Sequence, residues 1–371
     1  ISLGQVYPGQ MDSTFVPVRS HHYDPELTFD FCVNEPAWSN QAGIHSAFGS
    51  TDRLYFRKEV PVNHDNDLSS SYSTTVWRGE RANAQILVWS SEALEQVRVS
   101  TQDLRSAEGN IIPKDRITFE LVRYVLSNYP YAEKKAICGE SPYKSGFLMP
   151  DRFETLDRFD LPSQTTRPVW MMVDVPRGTV PGTYKGQVEV RAKGKAPQLL
   201  NLEIVVQNQL LPYPKDWKYR LDLWQNPWAV AWYNHVEPWS PEHKMLLKQH
   251  LKHYADAGGT YITTYGGHSP WSDNSYMIEG GMIEWIKKAD GTWAFDYKIF
   301  DEYVELAMEC GIDEAITLYT PIPWGFRHRY KDEATGDYSY INWAPSSEEF
   351  KKMWNISVSY THLRAHETCA D

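Results

Sequence analysis

Residues 207–217 read Gln-Asn-Gln-Leu-Leu-Pro-Tyr-Pro-Lys-Asp-Trp, and the sequence pattern differs on its two sides. Pro212 and Pro214 stiffen the stretch into an extended connector. Before it, short β-type runs at 85–89, 96–100, 118–125, 169–175, 187–191 and 199–206 are separated by turn clusters, the pattern of an antiparallel β-sandwich. The run 169–190 is the most legible: one strand ends at Asp174-Val175-Pro176, Pro181-Gly182 turns the chain, and Tyr184-Lys-Gly-Gln-Val-Glu-Val returns as a second strand.

After the connector, strands alternate with helices. Residues 219–224 are a strand candidate, and Ser240-Pro241-Glu242 opens a helix that stops at Gly258-Gly259. Residues 261–265 form the next strand. A polar, aromatic insertion over 268–293 reads as a hairpin, turning at Gly280-Gly281 and Asp290-Gly291. Asp296 caps a second helix with Ile299, Phe300, Tyr303, Val304, Ala307 and Met308 on one stripe. Residues 315–320 make a third strand, and a long loop leads to Ser346-Ser-Glu-Glu349, a capping box for a third helix. Three strand–helix units imply parallel strands. Loops after the strands are long and aromatic while those before are short, the asymmetry of a (β/α) barrel with its site at the strands' C-terminal ends. A doubly wound sheet is the alternative, but no Gly-rich phosphate turn follows the first strand.

The expected chain is therefore multidomain, β plus α/β. It has an N-terminal antiparallel β-sandwich over 1–207, a linker over 208–218, and an incomplete (β/α)8 TIM barrel of about three βα units over 219–356. Residues 357–371 are read as a tail. Within it, 358–368 (VSYTHLRAHET) resemble a translated sequencing adapter, so native sequence is expected to end near Ile356. His362, His366, Glu367 and Cys369 mimic a metal-binding helix face, but the HExxH order is absent.

Composition narrows the function. A net charge of -11 over 371 residues, with no clustered basic face, argues against nucleic acid, and no apolar stretch reaches the roughly 20 residues of a membrane span. Cys32, Cys138, Cys310 and Cys369 form no CxxC pair, so neither a disulfide framework nor a zinc site is expected. No GxSxG, HExxH, Walker loop or GxGxxG is present either, which leaves carboxylates, aromatics and amides, the tools of glycoside hydrolysis. The 15 Trp and 23 Tyr are the unusual numbers: sugars offer C–H faces to rings and hydroxyls to polar groups. Core filling is the alternative reading of the same rings.

The three strand ends carry similar chemistry. Trp224-Gln-Asn-Pro-Trp228 ends the first strand, where Trp224 is a stacking wall and Gln225 or Asn226 a hydroxyl partner. Tyr265-Gly-Gly-His268 ends the second and Tyr319-Thr-Pro-Ile-Pro-Trp324 the third. Trp224, Asn226, Tyr265, His268, Tyr319 and Trp324 are thus the candidate sugar-binding residues, with a packed aromatic loop and a structural His as alternatives. Asp313-Glu314 precedes its strand and is read as a solvated turn at the opposite rim.

Four segments also carry a resemblance: RPVWMMVDVPRGTVPGTYKGQVEV (167–190), LLPYPKDW (210–217), LDLWQNPWAVAWY (221–233) and AITLYTPIPWGF (315–326). In this order they resemble glycoside hydrolase family 123, the β-N-acetylgalactosaminidases, over residues 60–355. The resemblance implies a β-sandwich, a (β/α) barrel and a C-terminal β-sandwich. It also implies retaining hydrolysis of terminal β-linked N-acetylgalactosamine in which the substrate's acetamido oxygen attacks the anomeric carbon through an oxazolinium intermediate. An adjacent Asp-Glu pair would stabilise the acetamido group and act as acid/base, without cofactor. By that alignment the pair is expected beyond Ile356, so no residue here is assigned to it and the chain alone is expected to be inactive. The implied partner is a glycan containing N-acetylhexosamine, and the implied location is periplasmic or extracellular. A noncatalytic carbohydrate-binding protein on the same framework is the alternative.

Overall fold

The computed structural model describes residues 35–63, 68–127, 147–266, 281–319 and 322–367. The chain divides into two units, one ending at Leu211 and the other running from Pro212 onward.

In the first unit the strands are β1 (His45–Gly49), β2 (Ser71–Arg78), β3 (Arg81–Ser90), β4 (Leu94–Thr101), β5 (Leu104–Arg105), β6 (Ile111–Ile112), β7 (Ile117–Ser127), β8 (Phe147–Thr155), β9 (Phe159–Leu161), β10 (Thr165–Asp174), β11 (Gly182–Arg191) and β12 (Gln198–Leu210). One sheet has the order β1-β3-β10-β7-β8, the other β2-β12-β11-β4-β9, with β5 also on β11 and β6 on β5. The two sheets share one core. Ile86 and Val88 of β3 and Met171 of β10 join Leu202 and Ile204 of β12, all essentially inaccessible. Residues 35–63 cover the other face of β3, where Leu87 and Trp89 pack with Trp38, Tyr55 and Val60. Burial on both faces is why Ile86-Leu-Val-Trp89 reads as a continuous apolar run.

Five of the six β-type runs of the sequence fall inside strands, and the sixth, 169–175, runs one residue past the end of β10 at Asp174. Two features correct the expectation. The unit is not wholly antiparallel, because β2 pairs parallel with β12, Tyr72 opposite Leu202 through Val76 opposite Val206; period-2 patterning fixes a strand's faces but not its direction. The strand β12 also continues to Leu210, inside the stretch read as linker, held by its pairing with Arg78 and by the Arg78 guanidinium donating to the Asn208 carbonyl at 3.0 Å.

The second unit contains α1 (Pro227–Asn234), α2 (Pro241–Asp256), β13 (Tyr261–Tyr265), β14 (Glu284–Lys287), β15 (Trp293–Asp296), α3 (Lys298–Glu309), β16 (Ala315–Tyr319), β17 (Arg327–Asp332), β18 (Tyr338–Asn342) and α4 (Glu348–Glu367). Ser240 caps α2, its hydroxyl accepting the His243 N–H at 3.2 Å, with Pro241 in the first turn. His243, Leu247, Leu251 and Tyr254 form its buried face. The Gly258-Gly259 stop has two causes. Gly258 has φ +92°, and a Cβ on Gly259 would lie 2.2 Å from the Tyr254 ring. On α3, Phe300, Tyr303, Val304 and Ala307 of the expected stripe are buried; the N-cap is Tyr297, without a side-chain cap, and not the expected Asp296, which sits one residue earlier and accepts the Lys298 N–H at 2.9 Å.

β13 and β16 pair in parallel, Tyr261 opposite Ala315 through Tyr265 opposite Tyr319. The candidate first strand is reduced to one parallel bridge, Leu221 to Gly259. Its neighbouring residues connect to β13 and β16 through side chains instead, and Pro227 then starts the unexpected α1. The expected hairpin is present as β14–β15, while 267–280 lie outside the described residues. The stretch read as a long loop after the third strand is a second hairpin, β17–β18, and β17 pairs parallel with β14 to make one sheet, β15-β14-β17-β18. Cross-strand cation–π contacts explain strands in so basic a run: Arg327 lies 3.6 Å from the Tyr340 ring centroid and Arg329 3.6 Å from that of Tyr338. His328, 4% exposed, stacks on Trp285 at 5.1 Å. Finally, α4 is capped by Ser347, which accepts the Phe350 N–H at 3.2 Å, not by a box starting at Ser346. Among the described residues no helix is long and apolar enough to cross a membrane.

Candidate functional site

The β13–β16 register sets Thr263 beside Thr317 and, two residues on, Tyr265 beside Tyr319. Alternation puts both pairs on one face. Asp222 sits against the lower pair: one carboxylate oxygen accepts the Thr263 hydroxyl at 3.1 Å and the other the Thr317 hydroxyl at 2.9 Å. This carboxylate therefore ties three neighbouring segments together. Trp224, two residues further, meets the upper pair, its ring 4.3 Å from that of Tyr319.

Tyr265 contacts Tyr319 edge-on at 5.9 Å and Trp228 at 5.6 Å. It is 1% exposed and its hydroxyl donates to the Gln225 carbonyl, so it backs the cluster instead of offering a face to a ligand. Trp224, 57% exposed, and the half-buried Tyr319 present the accessible rings. Asn226 is committed locally as the N-cap of α1, its side-chain oxygen accepting the Ala229 N–H at 3.4 Å. Trp324 opens a 3-10 turn at Trp324–Phe326, and its side chain lies outside the described residues, as does all of His268. The structure thus brings Trp224, Tyr265 and Tyr319 together. Asp222 is the residue the sequence reading passed over. Its signal was an acid two positions before Trp224 in the apolar run Leu-Asp-Leu-Trp, hence on the same face as that ring.

The surrounding groups hold the cluster in place. The Tyr254 hydroxyl donates to the Leu221 carbonyl at 2.7 Å, and burial, with a smaller contribution from the Asp222 charge, pushes its pKa up. His243 is buried and its pKa is lowered by that burial. Its Nδ1 accepts the Trp239 N–H at 2.8 Å. The proton of the neutral ring is therefore on Nε2, which donates to the Pro227 carbonyl at 2.8 Å. This locks the start of α1 against the turn leading to α2. Asp313 and Glu314 lie at the other end of β16, where Glu314 accepts the Thr260 hydroxyl at 2.8 Å and pairs with Arg220 at 3.6 Å. The five residues of β16 separate them from Tyr319 by ~16 Å. Among the described residues no group of three or more His, Cys, Asp or Glu side chains is gathered to hold a metal.

A polar floor under accessible rings at the C-terminal ends of parallel strands suits a saccharide, with C–H faces on the rings and hydroxyls toward the Asp222 carboxylate. Comparison with known proteins agrees on the class. The family model described as the glycoside hydrolase 123 catalytic domain matches residues 224–369, and that of the glycoside hydrolase 123 N-terminal domain matches 48–192. The chain belongs to glycoside hydrolase family 123. A solved family 123 glycoside hydrolase from Clostridium perfringens, described in connection with glycolipid glycan hydrolysis, is similar with a TM-score of 0.78 at 24% identity. The match covers 88% of this chain and 56% of that one, so the present chain spans little more than half that protein's length. The PapD-like domain 7 of human CEP192 aligns at a TM-score of 0.24 and 12% identity, covering 50% of this chain and 99% of that one, which carries no argument. No curated protein sequence matches the chain.

Proposed function

We propose that the protein carrying this chain is a β-N-acetylhexosaminidase that removes terminal β-linked N-acetylgalactosamine, with retention and with the substrate's own acetamido group as nucleophile. Membership of family 123 supports a glycosidase acting on glycans. The observation that carries the site is the ring pair Trp224–Tyr319 above Asp222. Its rings take the pyranose face, and the intramolecular acetamido attack gains from the pyranose being held in one orientation. The adjacent acid pair such a mechanism needs is not Asp313-Glu314, which lies at the wrong end of β16. In this reading the two sheets of the first unit form a β-sandwich, and the Leu221 bridge with β13 and β16 begins a (β/α) barrel. We place the protein outside the cytoplasm, where glycans of this kind are exposed.

The test is hydrolysis by the full-length protein of an aryl β-N-acetylgalactosaminide and of the matching aryl β-galactoside. The first should be cleaved with release of the β-anomer of N-acetylgalactosamine. The second, lacking the acetamido group, should be inert. Cleavage of both at similar rates contradicts the substrate-assisted step, and sugar binding without cleavage of either makes the protein a carbohydrate-binding module.

A further inference from the structure

The second unit contains a cavity of about 630 Å³ that borders the strand-end cluster at Trp228 and is otherwise walled by other elements. Trp239 from the turn before α2, Trp285 from β14, Tyr330 from β17 and Tyr338 from β18 line it, and none of Trp224, Tyr265 and Tyr319 does. Its size lies within the roughly 300–1,000 Å³ of small-molecule sites. The two hairpins account for much of its wall, which gives the β15-β14-β17-β18 sheet a role beyond packing.

The lining decides the ligand class. Four carboxylates, Glu237, Glu284, Asp296 and Glu302, face three cations, Lys244, Lys298 and Arg329. Most are already engaged: Lys244 pairs with Glu302 at 3.3 Å, Glu284 accepts the Tyr338 hydroxyl, Asp296 accepts the Lys298 N–H, and the Arg329 guanidinium lies over the Tyr338 ring. With both signs interspersed and most of them already paired or engaged, the wall offers neither an anion nor a cation a field of one sign. An apolar molecule would strip water from charged groups without replacing its hydrogen bonds. A neutral polyol with one apolar face meets neither difficulty, since its hydroxyls both donate and accept and its C–H face matches indole and phenol rings.

We propose that this cavity is a second saccharide-binding site taking a neutral pyranose, a claim that goes beyond the strand-end reading and does not depend on it. The experiment is titration of the chain with N-acetylgalactosamine and galactose by saturation-transfer NMR and calorimetry, with galacturonate as the anionic comparison. Ile299→Trp fills the cavity from the first turn of α3, and Glu237→Gln with Lys298→Ala changes its exposed rim without touching the core. Ile299→Trp should weaken neutral-sugar binding at this site by about tenfold or more with the melting temperature within about 2 °C, and the rim variant by about threefold or more. Trp224→Ala should leave this binding event unchanged. Loss of all sugar binding in Trp224→Ala would overturn the proposal, as would unchanged affinity in the rim variant or tighter binding of galacturonate than of galactose. Should Ile299→Trp fail to fold, the rim variant decides alone.

Discussion

Strands β3 and β16 are both apolar and end in an aromatic or polar residue, yet they live in different surroundings. β3 has partners on both sides, β1 and β10, and seven consecutive residues from Ala84 to Ser90 are buried. Among the described residues β16 pairs only with β13, and all five of its residues are half-buried. In the first unit, strand pairing and a shared core act together, so each side chain is held from several directions. In the second, the parallel strands depend on what packs over them: α2, α3 and side-chain ties such as Asp222 to Thr263 and Thr317.

The contrast can be broken by matched substitutions. Ile86→Ala removes a fully buried side chain between the two sheets and should cost about 2–5 kcal/mol, whereas Ile316→Ala, half-exposed on β16, should cost under about 1.5 kcal/mol. Urea unfolding of the two variants measures the difference, and equal losses would erase the distinction. Gly259→Ala sharpens it from the other side. The added Cβ meets the Tyr254 ring, so a loss of about 1–3 kcal/mol is expected, with the Tyr254 tie to Leu221 weakened. Ser240→Ala removes the cap of α2 and should cost about 1 kcal/mol in the same assay.

The smallest effect is confined to acid. His243 is held neutral in the fold with its pKa below the ordinary value near 6.5. The unfolded chain therefore binds the extra proton first as pH falls. The stability this contributes is present above about pH 6.5 and is lost as pH drops toward the folded pKa. His243→Gln should flatten that part of the stability profile below about pH 6.5. An unchanged slope would mean that His243 does not carry it.

Much of the first unit was legible because alternation there coincides with burial, as in the run 169–190 that became β10, its turn and β11. The direction of β2 was not legible, since parallel and antiparallel pairing present the same side-chain faces. In the second unit the caps and glycine stops located α2 and α3 to within a residue or two. The hairpin at Arg327–Asp332 and Tyr338–Asn342 escaped because its strands are stabilised by arginine over tyrosine and not by an apolar stripe. The turn Glu333-Ala-Thr-Gly-Asp337 between two Tyr-containing runs was its available signal, and Gly336 has φ +78° there. Of the candidate site, rings at strand ends could be read from position alone. Asn226 could not be told from a cap, nor Tyr265 from a buried support, because both distinctions depend on which neighbour each side chain finds.

The central claim is that Trp224 and Tyr319, above Asp222, hold the sugar that the enzyme cleaves. The direct measurement is kcat/KM of the full-length protein on an aryl β-N-acetylgalactosaminide before and after Trp224→Ala, with the melting temperature recorded for both. Because the Trp224 ring is exposed, the fold should be unaffected while kcat/KM falls by about tenfold or more, the ~1.4 kcal/mol or more of a lost stacking face. An unchanged kcat/KM in a folded variant would contradict the account.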